Sequence, residues 1–117
     1  MNKSEFDLNL AVIIGINEYQ NNISALATAR QDAEAIARLL ETEYQYQVIL
    51  ITDTTEIQPS FERLHRFFEQ DLPDRIQSSQ STRLIFYFAG HGIAEGSDRG
   101  PSGYLIPQNA KLGDVAT

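Results

Sequence analysis

Cysteine is absent from the sequence, and this absence limits the chemistry that the chain can perform alone. Without a thiol, these residues contain no disulfide, no thiolate metal site and no cysteine nucleophile. Histidine is nearly as scarce, with 2 residues in the whole sequence. There is no HExxH pattern and no glycine-rich loop ending in lysine, so zinc hydrolase and nucleotide-binding functions have no support. We expect neither a metal nor a cofactor.

Clusters of basic residues and long apolar runs are also missing. Acidic residues number 16 against 9 basic ones, which gives a formal net charge of −7. A surface with that charge repels phosphate backbones and anionic lipid headgroups, so we expect no nucleic acid and no membrane as partner. Residues 1–7 contain no apolar signal core, and no apolar run approaches the roughly 20 residues that cross a bilayer. We expect a cytoplasmic protein.

Three apolar runs alternate with helical patterns along the chain. The runs are Leu8–Ile16, Val48–Ile51 and Leu84–Ala89, which are rich in β-branched or aromatic residues and predict buried strands. Apolar stripes at helical spacing lie between them and predict two helices. This order is typical of a parallel sheet with helices on both faces, so the predicted fold class is α/β. The first stripe is Leu26, Ala29, Ala33, Ile36, Ala37 and Leu40, and the second is Phe61, Leu64, Phe68 and Leu72.

Local signals predict where the helices begin. Thr28 followed by Gln31 has the form of a capping box, which would start the first helix directly after Thr28. Pro59 suits the first turn of the second helix, where a missing N–H costs nothing. Tyr104–Ile106 predicts one further short strand.

The tripeptide Gly90-His91-Gly92 directly follows the third apolar run. In open α/β sheets the ligand site lies beyond the carboxyl ends of the strands, which would place this imidazole on the rim of the sheet. A histidine there can exchange protons near neutral pH. The flanking glycines permit a sharp turn and leave the Gly92 N–H open to a ligand oxygen. The tripeptide alone is more typical of a surface turn, but its place after a buried strand favours a functional role.

Asp32 is the second candidate residue. It lies in the first turn of the first predicted helix, just beyond the first strand, so it would face the same rim as His91. An acidic residue at that place also stabilises a helix through its dipole. From the residues alone, this structural role is the favoured one.

Four segments resemble the large-subunit region of the caspase-like clan of cysteine proteases, closest to metacaspases and their bacterial relatives, the orthocaspases. They are LAVIIGINEY (Leu10–Tyr19), ATARQDAEAIARLL (Ala27–Leu40), LIFYFAGHG (Leu84–Gly92) and GYLIPQNA (Gly103–Ala110). Their order and spacing cover nearly the whole chain. The resemblance implies that residues 1–117 form a single large-subunit region of a caspase–haemoglobinase fold. A missing C-terminal segment or a second chain would complete the sheet.

The resemblance implies a cysteine endopeptidase with a Cys–His dyad. His91 matches the catalytic histidine, and Gly92 matches the glycine whose N–H contributes to the oxyanion hole. Asp32 matches the aspartate that lines an acidic S1 pocket in metacaspase-type members, which select Arg or Lys at P1. The family's cysteine follows the next long strand, and this sequence has none after His91. The chain would therefore be inactive by itself, with its cysteine on a companion segment or chain.

Arg30 lies two positions from Asp32, and the charge of the S1 pocket depends on which of these two side chains faces it. Caspases proper prefer aspartate at P1 and bind it with arginines. Residues two apart on a helix point about 200° away from each other and cannot share one pocket. Because Ala29 and Ala33 face the core, we place the Asp32 carboxylate in the pocket and the Arg30 guanidinium in solvent. The expected partners are peptide substrates with a basic P1 residue.

Two other functions stay open. A catalytically inactive caspase-like module would act by association as an adaptor or regulator, although a scaffold has no need for a histidine between two glycines. A flavodoxin-like signalling domain requires an acidic phosphoacceptor cluster after the first strand, and Asn17-Glu18 does not supply one. Calcium dependence, which the resemblance implies for some metacaspases, is not supported, because Gln108-Asn109 stands where the family usually has an aspartate.

Overall fold

A parallel sheet of three strands organises the part of the chain that the computed structural model describes, residues 6–95 and 102–111. The first strand in sequence lies in the middle, between the second and the third, and pairs with both over most of its length. An antiparallel ribbon of two strands follows the sheet. In chain order the elements are β1 (Leu8–Gly15), α1 (Ala29–Tyr44), β2 (Gln47–Thr52), α2 (Phe61–Arg66), a π-helical turn (Phe67–Asp71), α3 (Leu72–Gln77), β3 (Thr82–Ala89), β4 (Gly92–Glu95) and β5 (Ser102–Leu105).

The central strand β1 is buried on both faces, because side chains alternate across a strand and helices cover each side. Leu10, Val12 and Ile14 belong to a core shared with the helical segment between β2 and β3. Ala11 and Ile13 face α1 and pack against its alanines. Each large apolar side chain buried in this way stabilises the fold by about 1.5–3 kcal/mol. The predicted α/β architecture with helices on both faces is confirmed.

The first helix begins at Ala29 as predicted, but the predicted capping box does not form. The Thr28 side chain makes no capping hydrogen bond. Instead, the buried Asn17 side chain accepts a hydrogen bond from the Arg30 N–H at 2.9 Å and donates one to the Gln31 side chain at 3.0 Å. A side chain from the end of β1 therefore caps α1, because it supplies an acceptor where the first helical N–H groups have none.

The second helix begins at Phe61, two residues after Pro59, which the sequence placed in its first turn. Ser60 is its N-cap, with a side-chain oxygen 3.3 Å from the Arg63 nitrogen that donates to it. Pro59 precedes the cap and is fully buried. The serine cap explains the boundary, because hydroxyl side chains satisfy the free N–H groups at this position.

A π-helical turn breaks the second apolar stripe and changes which residues face the core. The Leu72 N–H donates to the Phe67 carbonyl five residues earlier. Pro73 follows and has no N–H for an ordinary helical bond, which favours such a turn. As a result Phe67 is buried, whereas Phe68, which the regular stripe placed in the core, is 38% exposed.

The third strand lies at the outer edge of the sheet. Its Leu84 and Phe86 side chains are 44% and 45% exposed, whereas the sequence predicted a central, buried strand in a sheet that a further segment would complete. Tyr104 forms part of the predicted additional strand, which pairs with β4 in the ribbon. No helix among residues 6–95 and 102–111 is long and apolar enough to cross a membrane. Residues 1–5, on which part of the signal-peptide argument rests, lie outside the described residues.

Candidate active site

The three parallel strands end at one edge of the sheet, and polar side chains follow each of them. Asn17 comes after β1, Asp53 directly after β2, and His91 two residues after β3. Because parallel strands present their carboxyl ends on the same side, these residues share one rim. The predicted position of His91 at a strand end is what the structure shows.

Asp53 anchors the loop that leaves β1. One of its oxygens accepts hydrogen bonds from the backbone N–H groups of Asn17 at 3.1 Å and Glu18 at 2.7 Å. The Asp53 side chain is 3% exposed, and its other oxygen makes no hydrogen bond. Hydrogen bonds that a carboxylate accepts are roughly twice as strong as neutral ones. The residues after β1 are therefore held firmly at the rim.

Arg30 also lies at this rim, and its predicted place in solvent is wrong. Its guanidinium is 3.6 Å from the second Asp53 oxygen, and the Arg30 side chain is 27% exposed. The buried carboxylate attracts the cation because an unpaired charge would be costly to bury. Helical spacing correctly separated Arg30 from Asp32, but it carried no information about Asp53, the partner that follows β2.

His91 is held through one of its two ring nitrogens. Its Nε2 lies 2.8 Å from the backbone carbonyl oxygen of Ser24. A carbonyl only accepts hydrogen bonds, so Nε2 carries a proton in this arrangement. The other ring nitrogen, Nδ1, has no hydrogen-bond partner among the described residues, which leaves it free to take up a proton.

Tyr19 contacts His91 through both its hydroxyl group and its ring. The Tyr19 oxygen accepts a hydrogen bond from the His91 backbone N–H at 2.9 Å and donates one to the Ile106 carbonyl at 3.1 Å. The two rings meet edge to face, with centroids 4.9 Å apart. Burial raises the pKa of Tyr19 above its usual 10.0; the hydrogen bond from His91 opposes this rise and the nearby Asp53 charge adds to it.

Gly92 begins β4 and pairs with Leu105 of β5. It is exposed, and an added Cβ would come 3.4 Å from the Tyr104 carbonyl oxygen. Its predicted contribution to an oxyanion hole stays a prediction.

Asp32 lies in the first turn of α1 and is exposed. Its backbone N–H donates to the Thr28 carbonyl at 2.8 Å. Within the described part of the chain, no hydrogen bond or ion pair joins its carboxylate to another residue. The structure therefore brings His91 together with Ser24 and Tyr19, but it does not join Asp32 to them.

Sequence reasoning missed three residues of this site: Tyr19, Ser24 and Asp53. The tyrosine belongs to a segment that carried the family resemblance, and no local pattern connected it with His91. The Tyr19–His91 and Ser24–His91 contacts join residues that are 72 and 67 positions apart in the sequence, and such contacts leave no signature in periodicity or spacing. Among the described residues, no group of at least three His, Cys, Asp or Glu side chains could hold a metal ion.

The fold and the site define an α/β domain that presents one oriented imidazole at the carboxyl edge of a parallel sheet. The family model described as the caspase domain matches residues 8–115. The chain belongs to the caspase domain family, which is a family of cysteine peptidases. No curated protein matched the chain.

Proposed function

We propose that this chain is the histidine-bearing large-subunit part of a cytoplasmic cysteine endopeptidase of the metacaspase or orthocaspase type. The observation that carries the proposal is the arrangement of His91, with Nε2 hydrogen-bonded to the Ser24 carbonyl and Nδ1 without a partner among the described residues. An imidazole fixed in this way is prepared for proton transfer. The nucleophilic cysteine lies on a companion segment or chain, since this sequence contains none.

The reaction begins when the companion's thiol loses its proton to Nδ1 of His91 and attacks the carbonyl carbon of the scissile peptide. The resulting imidazolium is stabilised on its far side by the Ser24 carbonyl. The proton then passes from Nδ1 to the leaving amine, and an acyl-enzyme remains for water to hydrolyse. The Gly92 N–H donates to the oxyanion, an interaction whose loss typically costs about 100- to 1,000-fold in rate.

Charge at the rim supports a basic P1 residue. The Arg30 cation is paired with Asp53, so it does not present an uncompensated positive charge to a substrate. Asp32 and Glu18 are both exposed acids on the segments that surround the rim. A substrate arginine or lysine would find a carboxylate partner in Asp32. No calcium site is part of the proposal.

The alternative function is a caspase-like module that works by association and has no catalysis. The exposed apolar side chains of β3, Leu84 and Phe86, favour some association of this chain with another segment. Such a face fits both an enzyme completed by a companion and an inactive adaptor, so it does not separate them.

The deciding experiment isolates the protein from its native source and measures the intact mass of every polypeptide that copurifies. The proposal expects a cysteine-bearing polypeptide with an Asp-x-Cys motif. The complex should release dye from fluorogenic peptides ending in Arg or Lys, and not from those ending in Asp. Thiol alkylation should abolish this activity. A complex without any such polypeptide, or one with no thiol-dependent cleavage of basic peptides, would favour the inactive module.

A further inference from the structure

Tyr19 contacts both the backbone and the ring of His91. Its oxygen lies between the His91 N–H at 2.9 Å and the Ile106 carbonyl at 3.1 Å. The Ile106 N–H returns a hydrogen bond to the His91 carbonyl at 3.0 Å. These three bonds form a closed circuit that fixes the backbone of the histidine on both sides.

The hydrogen-bonded circuit also depends on Gly90, the residue before His91, because glycine has no side chain. A Cβ added at Gly90 would lie 2.6 Å from the Tyr19 oxygen and 2.8 Å from the Phe88 ring. Atoms do not approach so closely without displacement. An added Cβ at Gly90 would therefore displace the tyrosine hydroxyl, the Phe88 ring or both.

Hydrogen bonds also hold the backbone on both sides of Tyr19. Asp53 accepts hydrogen bonds from the N–H groups of Asn17 and Glu18, directly before Tyr19 in the chain. The Gln20 N–H, on the other side, donates to the Gln108 carbonyl at 2.9 Å. A tyrosine hydroxyl is protonated at neutral pH, and burial raises the pKa of Tyr19 further, so its oxygen accepts and donates at the same time.

We propose that Tyr19 is a positioning residue for His91: its hydroxyl fixes the histidine backbone and its ring edge fixes the plane of the imidazole. The imidazole is thereby directed with Nε2 toward the Ser24 carbonyl and Nδ1 toward the place of the companion's thiol. This inference rests on the proposed function only in naming the reaction in which His91 takes part. The orientation of the ring is a property of this chain.

The test uses NMR relaxation on the complete chain with labelled histidine. In the unchanged protein and in Tyr19→Phe, which keeps the ring, we expect a ring C–H order parameter for His91 of about 0.85, as for rigid backbone, and in Tyr19→Leu a value below about 0.6. Exchange of the His91 amide hydrogen should rise about tenfold in Tyr19→Phe, the effect of losing one hydrogen bond. Tyr44→Phe, which alters an exposed tyrosine, is the matched control and should change neither value.

Tyr19→Leu removes the ring as well as the hydroxyl, so both the order of the imidazole and the protection of the amide should fall. Gly90→Ala should reproduce the loss of amide protection by displacing the hydroxyl, whereas Gly103→Ala, with no atom within 4 Å of the added Cβ, should not. The proposal is overturned if His91 keeps its amide protection in Tyr19→Phe or its imidazole order in Tyr19→Leu. It is equally overturned if the amides of β1 lose protection to the same degree, since the hydroxyl would then support the whole fold. None of these measurements requires peptidase activity, so failure of this inference is distinct from failure of the proposed function.

Discussion

His91 is the residue on which the proposed chemistry depends, and few of its contacts are side-chain to side-chain. Its N–H, its carbonyl and its Nε2 are all bound to groups from distant parts of the sequence. The imidazole therefore contributes little to the core, which lies around β1. A residue of this kind can be replaced at small cost to folding and large cost to activity.

Replacing His91 with Ala should abolish peptide hydrolysis by the complete enzyme. Proton transfer by a positioned side chain contributes about 100- to 10,000-fold, so kcat/KM should fall by at least this range. Circular dichroism should show an unchanged fold. Tyr44→Ala is the control, because this side chain is 61% exposed at the end of α1. Near-normal turnover of a basic peptide by His91→Ala would refute the assignment.

Replacing Asp32 with Asn should raise KM for arginine substrates by about 10- to 100-fold, the effect of losing a charge-assisted hydrogen bond. Asp32→Ala should behave similarly, and neither variant should cleave after aspartate. Glu41→Gln changes an exposed acid on the same helix and should leave KM unaltered. Unchanged kinetics in the Asp32 variants would show that this residue only stabilises the start of α1.

The raised pKa of Tyr19 predicts how the stability of the chain changes in alkali. A group whose pKa is higher in the folded than in the unfolded state contributes stability below its unfolded pKa and loses it as pH rises through the folded value. The free energy of unfolding should therefore begin to decrease as the pH rises past about 10, the usual tyrosine pKa, and should continue to decrease until the pH exceeds the higher folded pKa. Urea titrations of the unchanged chain and of Tyr19→Phe measure this. The decrease should be smaller in Tyr19→Phe. If the free energy of unfolding changes with pH equally in both proteins, the prediction is contradicted.

At the scale of elements, the contact between β1 and α1 decides the geometry of the rim. Gly15 ends β1, and an added Cβ would lie 2.5 Å from the Ala33 Cβ and 2.8 Å from the Ala29 carbonyl oxygen. Strand and helix therefore approach as closely as backbone permits. This distance also brings Asn17 within reach of the first N–H groups of α1.

Gly15→Ala should destabilise the chain by about 1–3 kcal/mol, the usual cost of overpacking a core. Gly103→Ala is the matched control, because its Cβ would meet open space, and its effect should stay within about 0.5 kcal/mol. Urea unfolding followed by circular dichroism gives both values. Equal stability of the two variants would show that α1 moves away from β1 without cost.

Periodicity predicted the three strands of the sheet and both helical segments, because a buried strand and an amphipathic helix each leave a regular pattern. Local patterns failed where one particular group, whether distant or nearby in the sequence, decides the local structure. Asn17 replaced the Thr28 cap, and the turn before Pro73 rotated Phe68 out of the core. At the site, the position of His91 followed from the end of β3, but its partners did not. No rule of spacing connects a histidine with a tyrosine hydroxyl on another strand end.

At the scale of the whole molecule, the outer side of β3 leaves apolar side chains exposed. A largely apolar groove of about 250 Å³ lies beside the strand, and its lining includes Phe61, Phe68, Phe86 and Leu105. Each of these four side chains is at least 38% exposed. An edge strand with exposed apolar neighbours readily pairs with another segment. The proposed cysteine-bearing companion would cover this surface.

The chain in isolation should therefore associate with itself at micromolar concentration, and Phe86→Lys should reduce this association. Leu39→Lys is the control, since Leu39 is exposed to nearly the same degree, 46% against 45%, but lies on α1. Sedimentation velocity distinguishes monomers from larger species. If the isolated chain is monomeric and unfolds cooperatively with high stability, the sheet needs no companion.

The circuit around His91 also joins the two sheets of the molecule. Tyr19 follows the central strand of the parallel sheet, and Ile106 directly follows β5 of the antiparallel ribbon, so both sheets hold the same histidine. A displacement of the ribbon would therefore be transmitted to the His91 backbone through the carbonyl and the N–H of Ile106.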